Sequence, residues 1–191
     1  MRLPPPPIPW FLRPLLAWQR RRHGHVLEPT AMWAWRPAPM LGFLTLFSLL
    51  RRRASPVPAR LRALASVRVS QVVDCAFCVD LNAALFLRDG DASELADLPG
   101  WRDAARYTDT ERLVLEYAEA MSATPPTVSD GLMSRLEAVF PPRAIVELTA
   151  VVAMQNMSAR FNNALDARAH GFCSLRGAQD LHTEVEVTCR P

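Results

Sequence analysis

Lysine is absent from this chain of 191 residues, so all 22 of its basic residues other than histidine are arginine. Glycine is scarce, with seven residues, while alanine and leucine are abundant. This mixture argues against a β fold with many tight turns and favours helices. Half of the residues are hydrophobic, which is enough for a sizeable core and excludes a chain that is disordered throughout.

The sequence also lacks long hydrophobic runs and is poor in cysteine. Four cysteines are few for a secreted domain held by disulfides. The most apolar stretch, Pro39–Leu50, is shorter than the ~20 residues of a membrane-spanning helix, so we expect it to be a buried helix. Prolines at positions 4–7 and 9 precede only a short apolar stretch, which does not fit a signal peptide. These absences predict a cytoplasmic protein.

Charge is divided unevenly along the chain. Residues 1–68 contain twelve arginines and one acid, Glu28, whereas residues 69–191 contain ten arginines and eighteen acids. The arginines of the first part are interleaved with Trp, Leu and Phe, unlike those of a solvated nucleic-acid-binding tail. We therefore expect this part to dock on the rest of the chain or on a neighbouring subunit, with neither nucleic acid nor a membrane surface as its partner.

Three segments are predicted along the chain. Residues 1–37 form an N-terminal extension rich in Pro, Trp and Arg, with one helical segment at 11–22. This extension cannot easily bury its four tryptophans alone, so we expect it to wrap the main domain. Residues 38–172 form that helical domain, with helices predicted at 39–53, 58–73, 75–88, 108–122, 129–140 and 141–171. The helix at 108–122 begins with the capping-box pattern Thr108-x-x-Glu111. Residues 173–191 form a C-terminal tail whose only strand-like stretch is 183–188.

The strongest chemical signal is the pair in Cys75-Ala76-Phe77-Cys78, which places two thiols one helical turn apart. That spacing allows a disulfide to close at the start of a helix, where the helix dipole favours thiolate over thiol. The pair therefore predicts a redox site. Two alternatives stay open, namely buried thiols that only pack and a zinc site completed by His170 and Cys173.

The residues around the pair follow a known order. Val69-Ser70-Gln71 ends one predicted helix, and Cys-x-Phe-Cys opens the next after a short polar break. Further matching residues lie in 109–121 and 146–165. Over roughly residues 58–170 the chain resembles the alkylhydroperoxidase D-like and carboxymuconolactone decarboxylase superfamily, and the extension is similar to one found in a long-chain branch.

This resemblance implies an all-α fold, an alkylhydroperoxidase D-like helical bundle that forms a homo-oligomer, a trimer or larger. In peroxidase members the second cysteine of the motif attacks the peroxide, and the first cysteine converts the resulting sulfenic acid to a disulfide. Carried over, Cys78 attacks the substrate, Cys75 closes the disulfide, and a thiol reductant protein restores the dithiol. The implied activity is that of a thiol-dependent peroxidase or disulfide oxidoreductase acting on a small-molecule peroxide or disulfide, with no cofactor and no metal.

The chain departs from the family pattern at two positions that serve proton transfer. The glutamate twelve residues before the first cysteine is Ala63 here, and the histidine four residues after the second is Asn82. Asn82 is able to hydrogen-bond a thiolate but cannot take its proton. This loss favours an alternative function, a non-catalytic member that binds a small apolar ligand or a protein partner.

Candidates for supporting the cysteines are Asn82, Asp74, Asp80 and Glu147, with His170 as a further candidate for a proton relay. Asp74 is expected to cap the helix of the cysteines. Asp80 lies about 200° around that helix from Cys78, so we expect it to face another helix or subunit. Glu147 lies among apolar residues, and we expect it to pair with Arg160 or Arg68.

Overall fold

The computed structural model describes residues 1–4, 6–88 and 90–176, together with 186–189; for residues 174–176 and 186–189 the backbone is described. These residues form nine α-helices, two 3-10 helices (Trp10–Leu12 and Leu98–Gly100) and one antiparallel pair of strands. The helices are α1 (Arg13–His23), α2 (Glu28–Trp33), α3 (Pro37–Leu50), α4 (Ala59–Val72), α5 (Ala76–Phe86), α6 (Ala92–Asp97), α7 (Asp109–Ser122), α8 (Asp130–Val139) and α9 (Pro142–Ala164). The strands are β1 (Cys173–Arg176) and β2 (Glu186–Cys189). The expected all-α fold is confirmed.

Local signals explain several helix ends. The side chain of Thr108 accepts a hydrogen bond from the backbone of Glu111, whose own carboxylate accepts one from the backbone of Thr108, so α7 begins with the predicted capping box. The same pattern, Asp91 with Glu94, opens α6, a helix that the sequence analysis missed. The C-cap of α1 is Gly24, which has the left-handed φ of 79° that glycine adopts readily.

The predicted end of α9 near residue 171 is wrong. The helix ends at Ala164, and Asp166 takes a left-handed φ of 59°. The backbone N–H of Ala167 donates to the carbonyl of Asn162, and that of Asp166 donates to the carbonyl of Asn163. This pair of bonds is a Schellman motif, and it turns the chain away from the helix axis. Of the predicted strand 183–188, residues 183–185 lie outside the described residues.

Helix α4 is the centre of the bundle and packs against α5, α7 and α9. One apolar cluster joins it to α7, α8 and α9, and a second joins it to α5, α6 and the loop before α7. Fully burying one side chain such as Leu64 or Val67 contributes about 1.5–3 kcal/mol, so α4 is held firmly on both sides. Among the described residues, no helix is both long and apolar enough to cross a membrane.

The N-terminal extension lies against the end of α9 and the residues that follow it. The ring of Trp33 stacks on Phe161 with 4.3 Å between the centroids, and the backbone N–H of Arg2 donates to the carbonyl of Leu165. Trp33 is half-buried in this contact. Trp10 is 78% exposed, and Trp18 and Trp35 are also exposed.

Candidate redox site

The corner between α4 and α5 is a Schellman motif built around Asp74. Asp74 has a left-handed φ of 53°, and its N–H donates to the carbonyl of Gln71, while the N–H of Cys75 donates to the carbonyl of Ser70. The expectation that Asp74 caps α5 is therefore wrong, since Asp74 closes α4. The N-cap of α5 is Cys75, whose Sγ accepts a hydrogen bond from the N–H of Cys78 at 3.3 Å.

Cys75 and Cys78 form the disulfide that their spacing predicts, with 5.2 Å between the Cα atoms. That separation lies in the usual range for disulfides. Cys75 is 0% exposed and Cys78 is 2% exposed. A reagent therefore reaches either sulfur only if neighbouring groups move.

The two sulfurs receive different hydrogen-bond donors. Cys75 Sγ accepts from the first turn of α5, where the helix dipole favours negative charge. Cys78 Sγ accepts from Nδ2 of Asn162, on the last turns of α9, at 3.3 Å. The second contact joins residues 84 positions apart in sequence, and the sequence analysis did not find it.

Four buried polar side chains near the disulfide, here called the polar wall, are Ser70, Asn82, Gln155 and Asn162. The first three are joined by hydrogen bonds, and the fourth contacts Cys78. Ser70 Oγ accepts from Asn82 Nδ2 at 3.0 Å and from Gln155 Nε2 at 3.1 Å, and it donates to the carbonyl of Ser66 at 2.7 Å. In this disulfide state the amide of Asn82 donates to Ser70, so the expected hydrogen bond from Asn82 to a thiolate stays a prediction. Gln155 and Asn162 are seven residues apart on α9, which places them on one face two turns apart. That spacing was the only sequence signal for this pair.

Two further segments pack near the disulfide, residues 25–28 of the extension and residues 165–172, here together called the cover. Leu27 and Ala167 pack with Phe77 against the cysteines. The cover is tied together by Glu28, whose carboxylate accepts from the N–H of Arg168 at 3.0 Å and pairs with its guanidinium at 3.4 Å.

Two histidines also meet across the cover. His25 Nε2 and His170 Nδ1 are hydrogen-bonded, with 4.3 Å between the ring centroids. The ring of His170 also contacts Phe77 edge-on, with 5.4 Å between centroids. Burial lowers the pKa of His170, and the neighbouring charge of His25 lowers it further.

Asp80 anchors the cover to α5. Its carboxylate accepts three backbone hydrogen bonds, from His170 at 2.7 Å, Gly171 at 2.8 Å and Cys173 at 2.6 Å, and the residue is 4% exposed. The expectation that Asp80 faces another helix or subunit is wrong, since it faces this segment of its own chain. These bonds hold residues 170–173 against α5.

Glu147 is not brought to the cysteines. It lies fifteen residues before Asn162, about 22 Å away along α9 at 1.5 Å per residue. Its carboxylate accepts a hydrogen bond from Ser55. The expected partners are engaged elsewhere, because Arg160 donates to Ser122 and Thr124 and Arg68 pairs with Glu119.

The structure does not bring position 63, where the family has a glutamate, to the cysteines, and it does not support the zinc alternative. Ala63 packs at the edge of the apolar cluster around Phe86, apart from the cluster that holds the cysteines. Across the described ranges, no group of three His, Cys, Asp or Glu residues is arranged to hold a metal ion.

Comparison with known proteins identifies the family. The model of the Carboxymuconolactone decarboxylase family matches residues 40–120, which include both cysteines of the disulfide. The protein YnjA of Escherichia coli K12, uncharacterized, is 44% identical over 178 residues, which is 92% of this chain and 97% of YnjA. The chain belongs to this family, as its residues indicated.

Solved structures agree on the fold. An uncharacterized peroxidase-related protein from Ralstonia eutropha JMP134, described as an alkylhydroperoxidase AhpD core, superimposes with a TM-score of 0.76 at 19% identity, over 88% of this chain and 91% of that chain. The debrominase Bmp8 superimposes with a TM-score of 0.73 at 19% identity, over 84% and 86% of the two chains. At these identities the likeness concerns the fold alone.

Proposed function

We propose that the protein is a thiol-dependent oxidoreductase that reduces a small-molecule peroxide through Cys78 and Cys75. The observation that carries the proposal is the buried disulfide at the start of α5, in which each sulfur accepts a hydrogen bond from an N–H group. Such donors stabilise a thiolate once the disulfide is reduced. The family membership and the likeness to peroxidase-related proteins support the same activity.

The proposed reaction starts from the dithiol. The Cys78 thiolate attacks one oxygen of a hydroperoxide, the O–O bond breaks, and the departing alkoxide takes a proton to become an alcohol. Cys78 is then a sulfenic acid, and the Cys75 sulfur attacks it, so that the disulfide forms and water leaves. A thiol reductant protein restores the dithiol by exchange and is itself oxidised to a disulfide. We place this cycle in the cytoplasm, where such reductants keep thiols reduced.

Access to the sulfurs requires the cover to move, because both cysteines are buried. The side chains that would line the opened space are Leu27, Phe77, Leu81 and Ala167, all apolar. This lining favours an organic hydroperoxide over hydrogen peroxide. It also favours, as a second candidate, the binding of a small apolar ligand without turnover.

The test is peroxide consumption by the reduced protein with a dithiol reductant, using an organic hydroperoxide and hydrogen peroxide in parallel. We expect turnover with both and faster turnover with the organic substrate. Binding of the organic molecule with no peroxide consumed would replace the proposal with the ligand-binding function. Bmp8 is a debrominase crystallised with 2,3,4-tribromopyrrole, so a further assay measures bromide release from that compound. Bromide release without peroxide turnover would also reject the proposal.

We also propose that the protein assembles into a homo-oligomer, a trimer or larger. Helix α3 exposes Leu41, Leu46 and Leu49, and α9 exposes Val146 and Met157. Exposed apolar helix faces of this kind are typical of subunit interfaces. Light scattering should give at least three times the 21.3 kDa chain mass, and a stable monomer at micromolar concentration would reject this assembly.

A further inference from the structure

The carboxamide of Asn162 is the one side chain of the polar wall that touches a sulfur. It is 1% exposed, and its Nδ2 lies 3.3 Å from Cys78 Sγ. Its Oδ1 is buried and has no hydrogen-bond partner among the described residues. Buried acceptors are nearly always paired in folded proteins, so an unpaired one beside a reactive sulfur points to a ligand.

The end of α9, which carries this carboxamide, is held in place by several contacts. The backbone carbonyl of Asn162 accepts from Ala167 in the Schellman motif, and the next residue, Asn163, donates its side-chain amide to the carbonyl of Val73 at 2.8 Å. Gln155, two turns earlier on the same face, is held by Ser70. The end of α9 is thereby tied to the corner that carries the cysteines.

The two sulfurs accept hydrogen bonds from different donors, so their thiolates are stabilised by different groups. The N–H at the start of α5 is directed at Cys75, so it serves Cys78 only indirectly. Asn162 is the group that donates to Cys78. A hydrogen bond to a charged acceptor is stronger than one to a neutral acceptor, so this contact favours the thiolate of Cys78 over its thiol when the pair is reduced.

We propose that Asn162 is a catalytic residue of this site: its Nδ2 stabilises the Cys78 thiolate, and its Oδ1 accepts the O–H of the hydroperoxide. This inference rests on the proposed peroxide chemistry. An oxygen about 3–3.5 Å from Sγ, as attack requires, lies within reach of a carboxamide that already contacts the same sulfur. Asn162 takes over the hydrogen bonding of the missing family residues but not their proton transfer, so the alkoxide takes its proton from water.

The experiment compares Asn162→Ala and Asn162→Asp with a matched control, Asn156→Ala, whose carboxamide lies on the same helix and donates to Ser122 rather than to a sulfur. The pKa of the Cys78 thiol is measured in a Cys75→Ser background from its ultraviolet thiolate absorbance. The rate constant for oxidation by the hydroperoxide is measured as a function of pH. Thermal unfolding checks that each variant is folded, and Asn162→Ser replaces Asn162→Ala if the latter is not.

We expect Asn162→Ala to raise the pKa of Cys78 and to slow oxidation about 10²-fold, the usual effect of removing one donor from a charge-stabilising site. Asn162→Asp should raise that pKa further, because a carboxylate repels the thiolate. Asn156→Ala should change neither quantity.

The outcomes separate the two proposals. A wild type that forms no disulfide with peroxide rejects the proposed function, whereas the pKa of Cys78 still reports on the Nδ2 contact. A reactive wild type with unchanged pKa and rate in Asn162→Ala overturns the role of Asn162. Asn162→Ala could also raise the pKa of Cys78 and leave the oxidation rate unchanged at high pH, where the thiol is fully ionised. That result retains the role of Nδ2 and overturns the role of Oδ1.

Discussion

The two regions that enclose the disulfide differ in chemistry. The polar wall is made of a hydroxyl and three carboxamides, which do not titrate. The cover is held by ionisable side chains, namely His25, His170, Glu28 and Arg168, and by the carboxylate of Asp80. We infer that the wall sets the reactivity of the sulfur, and that the cover sets access to it and makes that access depend on pH.

The largest effect is expected at the cysteines themselves. Cys78→Ser should abolish peroxide turnover, because the attacking thiolate is gone. Cys75→Ser should still consume peroxide once and stop as a Cys78 sulfenic acid, which a sulfenic-acid trap labels. Steady-state turnover and labelling followed by mass spectrometry measure the two results. Labelling of Cys78→Ser but not of Cys75→Ser would mean that Cys75, and not Cys78, is the attacking residue.

A large effect on stability is expected in the wall. Ser70→Ala removes the acceptor of two buried amides, so the free energy of unfolding should fall by about 3 kcal/mol, as measured by urea unfolding. The matched control is Ser48→Ala on α3, an exposed serine that makes the same type of bond to a carbonyl four residues earlier. A similar small loss in both variants would show that the wall is not a cooperative network.

A smaller and more local effect is expected at the anchor of the cover. Three backbone N–H groups donate to the two carboxylate oxygens of Asp80, and the side chain of Asp80→Asn has only one acceptor oxygen for them. Opening of this segment should become easier by about 2 kcal/mol, which is roughly a thirtyfold increase in amide exchange at residues 170, 171 and 173. Alkylation of the reduced cysteines should accelerate as well. Asp103→Asn, an exposed acid in the loop before α7, is the control and should change neither rate.

The sequence anticipated the elements that depend on neighbouring residues and missed those that depend on distant ones. The capping box at Thr108 and the closure of Cys75 with Cys78 are local, and both are present. The contact of Asn162 with Cys78 and the three hydrogen bonds of Asp80 join residues more than eighty positions apart in sequence. The donors to Asp80 are backbone N–H groups, which nearly every residue has, so no sequence pattern identifies them.

Local reasoning also failed at two turns. Asp74 and Asp166 adopt left-handed conformations that glycine usually provides. Sequence reasoning therefore predicts a helix cap at Asp74 and an α9 that is too long.

The smallest effect is expected from pH. Burial and the charges of His25 and His23 lower the pKa of His170, although Glu28 and Asp80 oppose this shift. The closed cover therefore favours neutral His170: its contribution to closure is complete above about pH 6.5, the ordinary histidine pKa, and is lost as pH falls through the lowered value.

Hydrogen exchange at residues 165–172, corrected for intrinsic rates, should accordingly reveal a looser cover at pH 5 than at pH 7.5. His170→Gln should reduce this difference, because glutamine is able to hydrogen-bond His25 without titrating itself. An equal pH response in the variant would assign the effect to another group.

The central claim is that Cys75 and Cys78 cycle between dithiol and disulfide. The direct measurement is peptide mass spectrometry of the reduced protein after one equivalent of an organic hydroperoxide and rapid alkylation. The account predicts that the peptide with residues 75–78 loses both alkyl labels and carries an internal disulfide, in step with consumption of the peroxide, and that Cys78→Ser shows neither change. A peptide that keeps both labels while the peroxide remains unconsumed would contradict it.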